Sequence, residues 1–121
     1  MKRSLMQVYI KNSAEAVQFY RDALDAKVLC DHRQGNGAVA HAELDVYGQI
    51  LAICETIESE VVTGNSMQFC LHFGDGSEEL VKSIISKLAE GGELTFHDVT
   101  DWSPLVAGII DRYGVNWCLF V

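Results

Sequence analysis

The alternation of apolar and polar residues near the start of the chain predicts a strand that is followed by a helix. From Met6 to Ile10 the even positions are apolar and the odd positions are mixed, which is typical of a strand with one covered face. Asn12 suits a helix N-cap, and Glu15 completes a capping box three positions later. The helix is predicted to end near Asp25, with an apolar stripe of Ala16, Val17, Tyr20, Ala23 and Leu24.

Three further strands are predicted, near residues 27–33, 38–46 and 49–55. The QGNG sequence at 34–37 predicts the first turn, and Tyr47-Gly48 predicts a two-residue hairpin. Such a hairpin pairs Leu44 with Leu51 and Glu43 with Ala52. The first module, residues 1–58, therefore has the predicted order βαβββ.

The second half of the chain repeats this pattern. VYIKNSAEAVQFY at 8–20 corresponds to LHFGDGSEELVKSI at 71–84, and DVYGQ at 45–49 corresponds to DRYGV at 111–115. Asp75 or Ser77 is predicted to cap the second helix, and strands are predicted near 93–99, 104–111 and 115–121. We expect Asp45 and Asp111 to brace the two Tyr-Gly turns. With a second module at 66–121, the sequence predicts one pseudo-twofold α+β domain over residues 1–121 with a cavity between its halves.

The mixed strand faces are predicted to line that cavity, because each helix should cover the apolar face of its own sheet. In the first module the mixed face comprises Tyr9, His41, Glu43, Ala52 and Cys54. In the second it comprises Gln68, Cys70 and His72 and, if the later hairpin also has two residues, Ile109, Asn116, Cys118 and Phe120. Glu55 falls on the opposite face and is expected to be solvated at the end of its strand.

Charge and cysteine usage exclude several classes of protein. The 17 acidic and 9 basic residues give a net charge of -8, which disfavours a nucleic-acid binder. No apolar run has membrane-spanning length, and the first residues do not read as a signal peptide. The four cysteines are widely spaced and lack a CxxC motif, so they are expected to be buried, reduced thiols in a cytoplasmic protein.

Three segments carry a resemblance to a known family. They are NSAEAVQFYRDAL at 12–24, HAELDVYGQILAICE at 41–55, and the pair Trp102 and Trp117, which enclose Asp111 and Gly114. In this order they resemble the vicinal oxygen chelate superfamily of glyoxalase I, bleomycin-resistance proteins and extradiol dioxygenases, and within it the PhnB-like proteins. The resemblance implies two tandem βαβββ modules that form an open, curved mixed sheet around a central cavity, and a homodimer.

The resemblance also implies where a metal would bind. The four ligand positions of the metal-dependent members correspond to Leu5, Ala52, Gln68 and Cys118, of which only Gln68 offers a donor that a hard divalent ion favours. We therefore expect no metal at those positions and no cofactor. A divalent metal at a relocated site is the alternative.

Two groups of polar residues, each with one histidine, are the candidate functional sites. His41 and Glu43 share a strand face, so they could form a general base or anchor a ligand, or they could be a hydrogen-bonded histidine beside a solvated carboxylate. His72, with Cys70 and Gln68, is the corresponding cluster of the second module. A soft zinc site drawn from Cys54, Cys70, Cys118, His41 and His72 is conceivable, but such cysteines also serve as small core residues.

Three functions follow from these residues. The first is a small-molecule-binding protein whose ligand contacts Tyr9, His41, Glu43, Gln68, His72 and Cys118. The second is a lyase or isomerase, either metal-dependent through a relocated site or metal-free with His41 and Glu43 as catalytic residues. The third is a non-catalytic, dimeric interaction module. The residues leave open whether the chain catalyses a reaction.

Overall fold

The computed structural model describes all residues 1–121, which form two helices and eight strands. In chain order these are β1 (Met6–Ile10), α1 (Ser13–Leu24), β2 (Lys27–Arg33), β3 (Val39–Val46), β4 (Gln49–Glu55), β5 (Phe69–His72), α2 (Glu78–Leu88), β6 (Glu93–Asp98), β7 (Val106–Ile110) and β8 (Asn116–Phe120). They fall into two compact units, Met1–Val62 and Thr63–Val121, each with the order βαβββ. The predicted α+β fold with two βαβββ repeats is confirmed. Neither helix is long and apolar enough to cross a membrane.

Each unit contains one mixed four-stranded sheet. The strand order is β1-β4-β3-β2 in the first sheet and β5-β8-β7-β6 in the second. In both sheets the first strand runs parallel to the last one, and the other pairs are antiparallel. A helix follows the first strand of each unit because the chain has to cross over before it can build the rest of the sheet.

Helix α1 packs against β1, β3 and β4. The residues of its predicted apolar stripe are all buried. On the three strands the matching positions are also buried, and they include Ile10, Leu44, Leu51 and Ile53. These four residues share one sheet face, since β1 and β4 pair in register and Leu44 lies opposite Leu51. The other face of the first sheet is thus the one that carries the candidate site.

The N-terminus of α1 is capped differently from the prediction. Asn12 takes the left-handed backbone conformation (φ 59°) and makes no side-chain cap, because a side-chain N-cap needs an extended backbone. The Glu55 carboxylate instead accepts the backbone N–H of Ser13 at 2.8 Å and that of Asn12 at 3.3 Å. The predictions of a capping Asn12 and of a solvated Glu55 are therefore both wrong. Ser77 likewise makes no side-chain cap on α2, since its hydroxyl donates to the carbonyl of Gly74.

The two hairpins with similar sequences have loops of different length. Tyr47 and Gly48 both have positive φ, Val46 pairs with Gln49, and the predicted register of β3 and β4 is confirmed. In the second hairpin Ile110 pairs with Asn116, and the N–H of Asp111 donates to the carbonyl of Val115 at 2.9 Å. This bond closes a loop of three residues, one more than the predicted two.

The longer loop corrects the predicted face of Ile109. This residue lies opposite the buried Trp117, whereas Ile110 shares a face with Asn116. The cause is Asp111, whose carboxylate accepts the N–H of Tyr113 at 2.9 Å and that of Val115 at 3.0 Å. In the first hairpin Asp45 accepts only the N–H of Gly48, at 2.7 Å, so both aspartates brace their turns as predicted.

Candidate functional site

A connected set of polar side chains lies on the first sheet, on the face opposite Leu44 and Leu51. His41 and Glu43 are two positions apart on β3, so their side chains point to the same side. His41 Nε2 is 2.9 Å from Glu43 Oε1, and His41 Nδ1 is 3.7 Å from the Cys54 thiol. Arg3 donates to both oxygens of Glu43, with each distance 2.8 Å. We call Arg3, Cys30, His41, Glu43 and Cys54 the His41 cluster.

Cys30 reaches the cluster through an irregularity in β2. Val28 pairs with Leu44, but Cys30 pairs with Glu43, so Leu29 is an extra residue on the β2 side. Such a β-bulge turns the following side chains to the other face of the strand. Without it, Leu29 would lie opposite Glu43. With it, the thiol of Cys30 comes beside the carboxylate.

The charges within the cluster are set by the contacts of Glu43. This residue is only 7% exposed, yet the hydrogen bonds from Arg3 and His41 hold its pKa at about 2, against the opposing effect of burial. A carboxylate with so low a pKa is a weak base, so Glu43 is suited to orient its partners and not to take a proton. Burial raises the pKa of the Cys54 thiol above its ordinary value. If the imidazole is neutral and donates from Nε2 to Glu43, its lone pair lies on Nδ1.

The structure distributes the predicted ligand-binding residues over both sheets. Tyr9 pairs in register with Cys54 and lies beside the His41 cluster, where it is 60% exposed and accepts a hydrogen bond from Gln7 at 2.7 Å. Tyr9, His41 and Glu43 are therefore brought together on the first sheet.

His72 and Cys118 belong to the second sheet, whereas Gln68, which was predicted to lie on a strand, directly precedes β5. Gln68 donates to Asn116 Oδ1 at 3.1 Å, and the ring of His72 stacks on Phe120 with centroids 4.4 Å apart. Cys118 is the register partner of Cys70. Of the four cysteines only Cys118 is buried, so the prediction of buried thiols is wrong for the other three. Burial, with smaller contributions from Cys70, raises the pKa of the Cys118 thiol to about 11. This thiol is therefore protonated at neutral pH.

The residues at the family's four metal positions do not fit a divalent ion. Leu5 and Ala52 have no donor atom. Gln68 offers a single hard donor, its Oε1, and the high pKa of Cys118 opposes formation of the thiolate that binds metals. These four positions therefore do not form a site for a divalent ion.

Two members of the His41 cluster were not predicted from the sequence. Arg3 precedes the first strand, in a segment with no periodic pattern that could place it. Regular alternation along β2 would put Cys30 on the face opposite His41 and Glu43, and only the β-bulge brings it to their side. Together with His41 and Glu43, Cys30 forms a group of three potential metal ligands whose donor atoms all lie within 4.8 Å of one another.

Solved structures with the same fold are numerous, although no family model and no curated protein matches the chain. The PhnB protein of Bacillus cereus superimposes with a TM-score of 0.83 at 20% identity and covers 98% of each chain. Protein PA1353 of Pseudomonas aeruginosa gives a TM-score of 0.80 at 18% identity, over 99% of this chain and 97% of its own. The fosfomycin resistance protein FosX of Listeria monocytogenes gives 0.73 at 11% identity, over 99% of this chain and 92% of its own.

These similarities extend over the whole chain in the order of its elements, and at such identities they concern the fold and not the chemistry. The chain therefore has the fold of the vicinal oxygen chelate superfamily, of the kind found in PhnB proteins.

Proposed function

We propose that this chain is a small-molecule-binding protein of the PhnB-like kind and that its ligand contacts the His41 cluster. The observation that carries the proposal is the buried carboxylate of Glu43, held by Arg3 and His41 on a sheet face. The fold needs a core under α1, but it does not need an ionised network on the opposite face. A network of this kind supplies the few oriented polar groups that small-molecule sites use.

The groups of the cluster indicate the class of ligand. The side chain of Arg3 is 55% exposed, and its guanidinium keeps N–H donors beyond the two that Glu43 accepts. Such donors match a carboxylate or a phosphate. The exposed ring of Tyr9 is suited to a planar group beside that anion. We therefore propose a small anionic ligand with an aromatic part. In the second unit we propose Gln68, His72 and Cys118 as further ligand contacts.

A thermal-shift screen of small carboxylates, phosphates and aromatic acids tests the proposal. We expect hits that raise the melting temperature of the wild-type protein, with affinities that fall about tenfold or more in the His41→Gln and Glu43→Gln variants because a directed polar contact is lost. His97→Gln, which changes an exposed histidine on β6, is the matched control and should bind like wild type. If no compound of these classes stabilises the wild-type protein, the proposal is wrong.

A metal-free lyase or isomerase is the second candidate. The geometry of His41 favours it, because Glu43 holds Nε2 and leaves Nδ1 as the proton acceptor. The substrate of such an enzyme would lose a proton to His41. Exchange of a carbon-bound hydrogen for deuterium in a ligand from the screen, seen by NMR in D₂O and abolished in His41→Gln, would support this function. A ligand that binds without exchange would contradict it.

We also propose that the protein is a cytoplasmic homodimer. All four cysteines are free thiols, and Cys70 is exposed, which suits a reducing compartment. The edge strand β6 is exposed along its whole length and presents Leu94 and Phe96. Apolar side chains on an unpaired edge are a common feature of association surfaces.

A further inference from the structure

The His41 cluster holds three kinds of ligand that zinc takes in proteins: a thiol, an imidazole and a carboxylate. The donor atoms of Cys30, His41 and Glu43 lie within 4.8 Å of one another. In a tetrahedral zinc site, bonds of about 2.0–2.3 Å place neighbouring ligand atoms roughly 3.3–3.8 Å apart. Shifts of about 1 Å, within the reach of side-chain rotation, would bring the three donors to that spacing.

Cys54 lies outside this group. Its thiol is 3.7 Å from His41 Nδ1, whereas Nε2 is the nitrogen that lies 2.9 Å from Glu43, and an imidazole binds one ion through one nitrogen. The three ligands come from the neighbouring strands β2 and β3, and the β-bulge is what adds Cys30 to the set. A bulge that directs a thiol towards a carboxylate and an imidazole is a second observation in favour of a built site.

Arg3 is the cation that now neutralises Glu43. It lies in the segment before β1, outside any strand or helix, and its side chain is more than half exposed. The two bonds from Arg3 to Glu43 involve both carboxylate oxygens, so the guanidinium and a metal ion would compete for the same atoms. The hydrogen bonds of the Arg3 side chain both go to Glu43, so its withdrawal into water would break no other hydrogen bond of the sheet.

We propose that the His41 cluster is a zinc site formed by Cys30, His41 and Glu43, with water as the fourth ligand, in which the ion takes the place of Arg3. The thiol of Cys30 loses its proton to water as the zinc–sulfur bond forms, and Arg3 moves away from Glu43. This inference does not rest on the proposed ligand, because metal loading is measured on the protein alone.

Titration of zinc-free protein with Zn²⁺, in competition with a chromogenic chelator, tests the inference. We expect one ion per chain. Cys30→Ser and Glu43→Gln should each lower the affinity about tenfold or more, because each removes a ligand. Arg3→Gln should raise the affinity about tenfold, because it removes the competing cation. This opposite sign is the decisive result, since loss of a merely structural salt bridge would not strengthen metal binding.

Matched variants control for charge and for non-specific thiol binding. Lys2→Gln removes a neighbouring exposed cation and should leave the affinity unchanged. Cys70→Ser removes an exposed thiol of the second sheet and should also have no effect. Urea unfolding of each variant confirms that it is folded.

Cobalt substitution provides a readout that does not depend on activity. Co²⁺ in this site should give the visible bands of a tetrahedral ion and a thiolate charge-transfer band, and the latter should weaken in Cys30→Ser. Octahedral spectra, equal zinc affinities in wild type and Cys30→Ser, or weaker binding by Arg3→Gln would each overturn the proposal.

Discussion

Glu43 is an ionised residue on a sheet face, with little of its own surface exposed. Its charge is maintained there because Arg3 and His41 both donate to it, which offsets the loss of hydration. The same contacts fix the direction of the His41 ring. Glu43 is therefore the residue on which the arrangement of the cluster depends.

The low pKa of Glu43 makes a prediction about stability in acid. The pKa of the Glu43 carboxyl is about 2 in the folded protein, against about 4.3 for an ordinary glutamate. The ionised carboxylate therefore stabilises the fold fully above about pH 4.3, and this contribution is lost as the pH falls towards about 2. The difference in free energy of unfolding between wild type and Glu43→Gln should be largest near neutral pH and should shrink between about pH 5 and pH 2. Urea unfolding of both proteins across this range measures it. A difference that stays constant with pH would contradict the assigned pKa.

The sequence predicts three of the five residues of the His41 cluster. Strand alternation places His41, Glu43 and Cys54 on one face, and their side chains do meet. It does not find Arg3, because residues that precede the first strand carry no periodicity. It does not find Cys30, because the extra residue in β2 moves the side chains that follow to the opposite face from the one that regular alternation predicts.

Helix α1 is tied to the end of β4 by Glu55. The carboxylate accepts two backbone N–H groups at the positive end of the helix. Burial acts to raise the pKa of Glu55, but the hydrogen bonds from Ser13 and Asn12 outweigh it and leave the pKa below its ordinary value. One side chain thus joins two elements that are adjacent in the fold and distant in the chain.

Replacement of Glu55 should therefore destabilise the first unit. We expect Glu55→Gln to lower the free energy of unfolding by about 1 kcal/mol, the usual effect of losing a helix cap. Glu60→Gln removes the same charge from an exposed position and is the control, with an expected effect below about 0.5 kcal/mol. Chemical denaturation of the three proteins gives the comparison. Equal stabilities of the two variants would show that Glu55 does not cap the helix.

The sequence predicts the order and type of the helices and strands better than it predicts the helix caps and the loop lengths. The strand and helix bounds agree with the periodicity because apolar spacing reports directly on the covered face. Helix caps and loop lengths depend on single distant side chains. Glu55 replaces Asn12 as a cap, and Asp111 widens a loop whose sequence, DRYGV, closely resembles DVYGQ in the shorter one.

For the whole molecule, the repeated unit and the structural neighbours give the fold but not the chemistry. Proteins that share 11–20% of their residues with this chain retain its architecture. At such identities a shared architecture does not carry over the side chains of a site. Function therefore has to be deduced from side-chain clusters such as that of His41.

The exposed edge of the second sheet predicts self-association. We expect light scattering after gel filtration to give twice the chain mass of 13.4 kDa for wild type, and a shift towards the monomer for Leu94→Glu, because a charge on an apolar edge opposes its burial. Leu80→Glu changes a similarly exposed leucine on α2 and should leave the dimer intact. A monomeric wild-type protein would rule out the homodimer.

The extra residue of β2 has a consequence for how related chains are aligned. A related chain of the same length whose β2 paired without the bulge would present its residue 29 beside the carboxylate, here the aliphatic Leu29, and would turn the thiol of residue 30 to the other face. An ungapped alignment would score the two chains as equivalent there, although one could bind a soft metal and the other could not. The formation or loss of a bulge in this edge strand is therefore a route by which descendants of one ancestor could acquire or lose a metal.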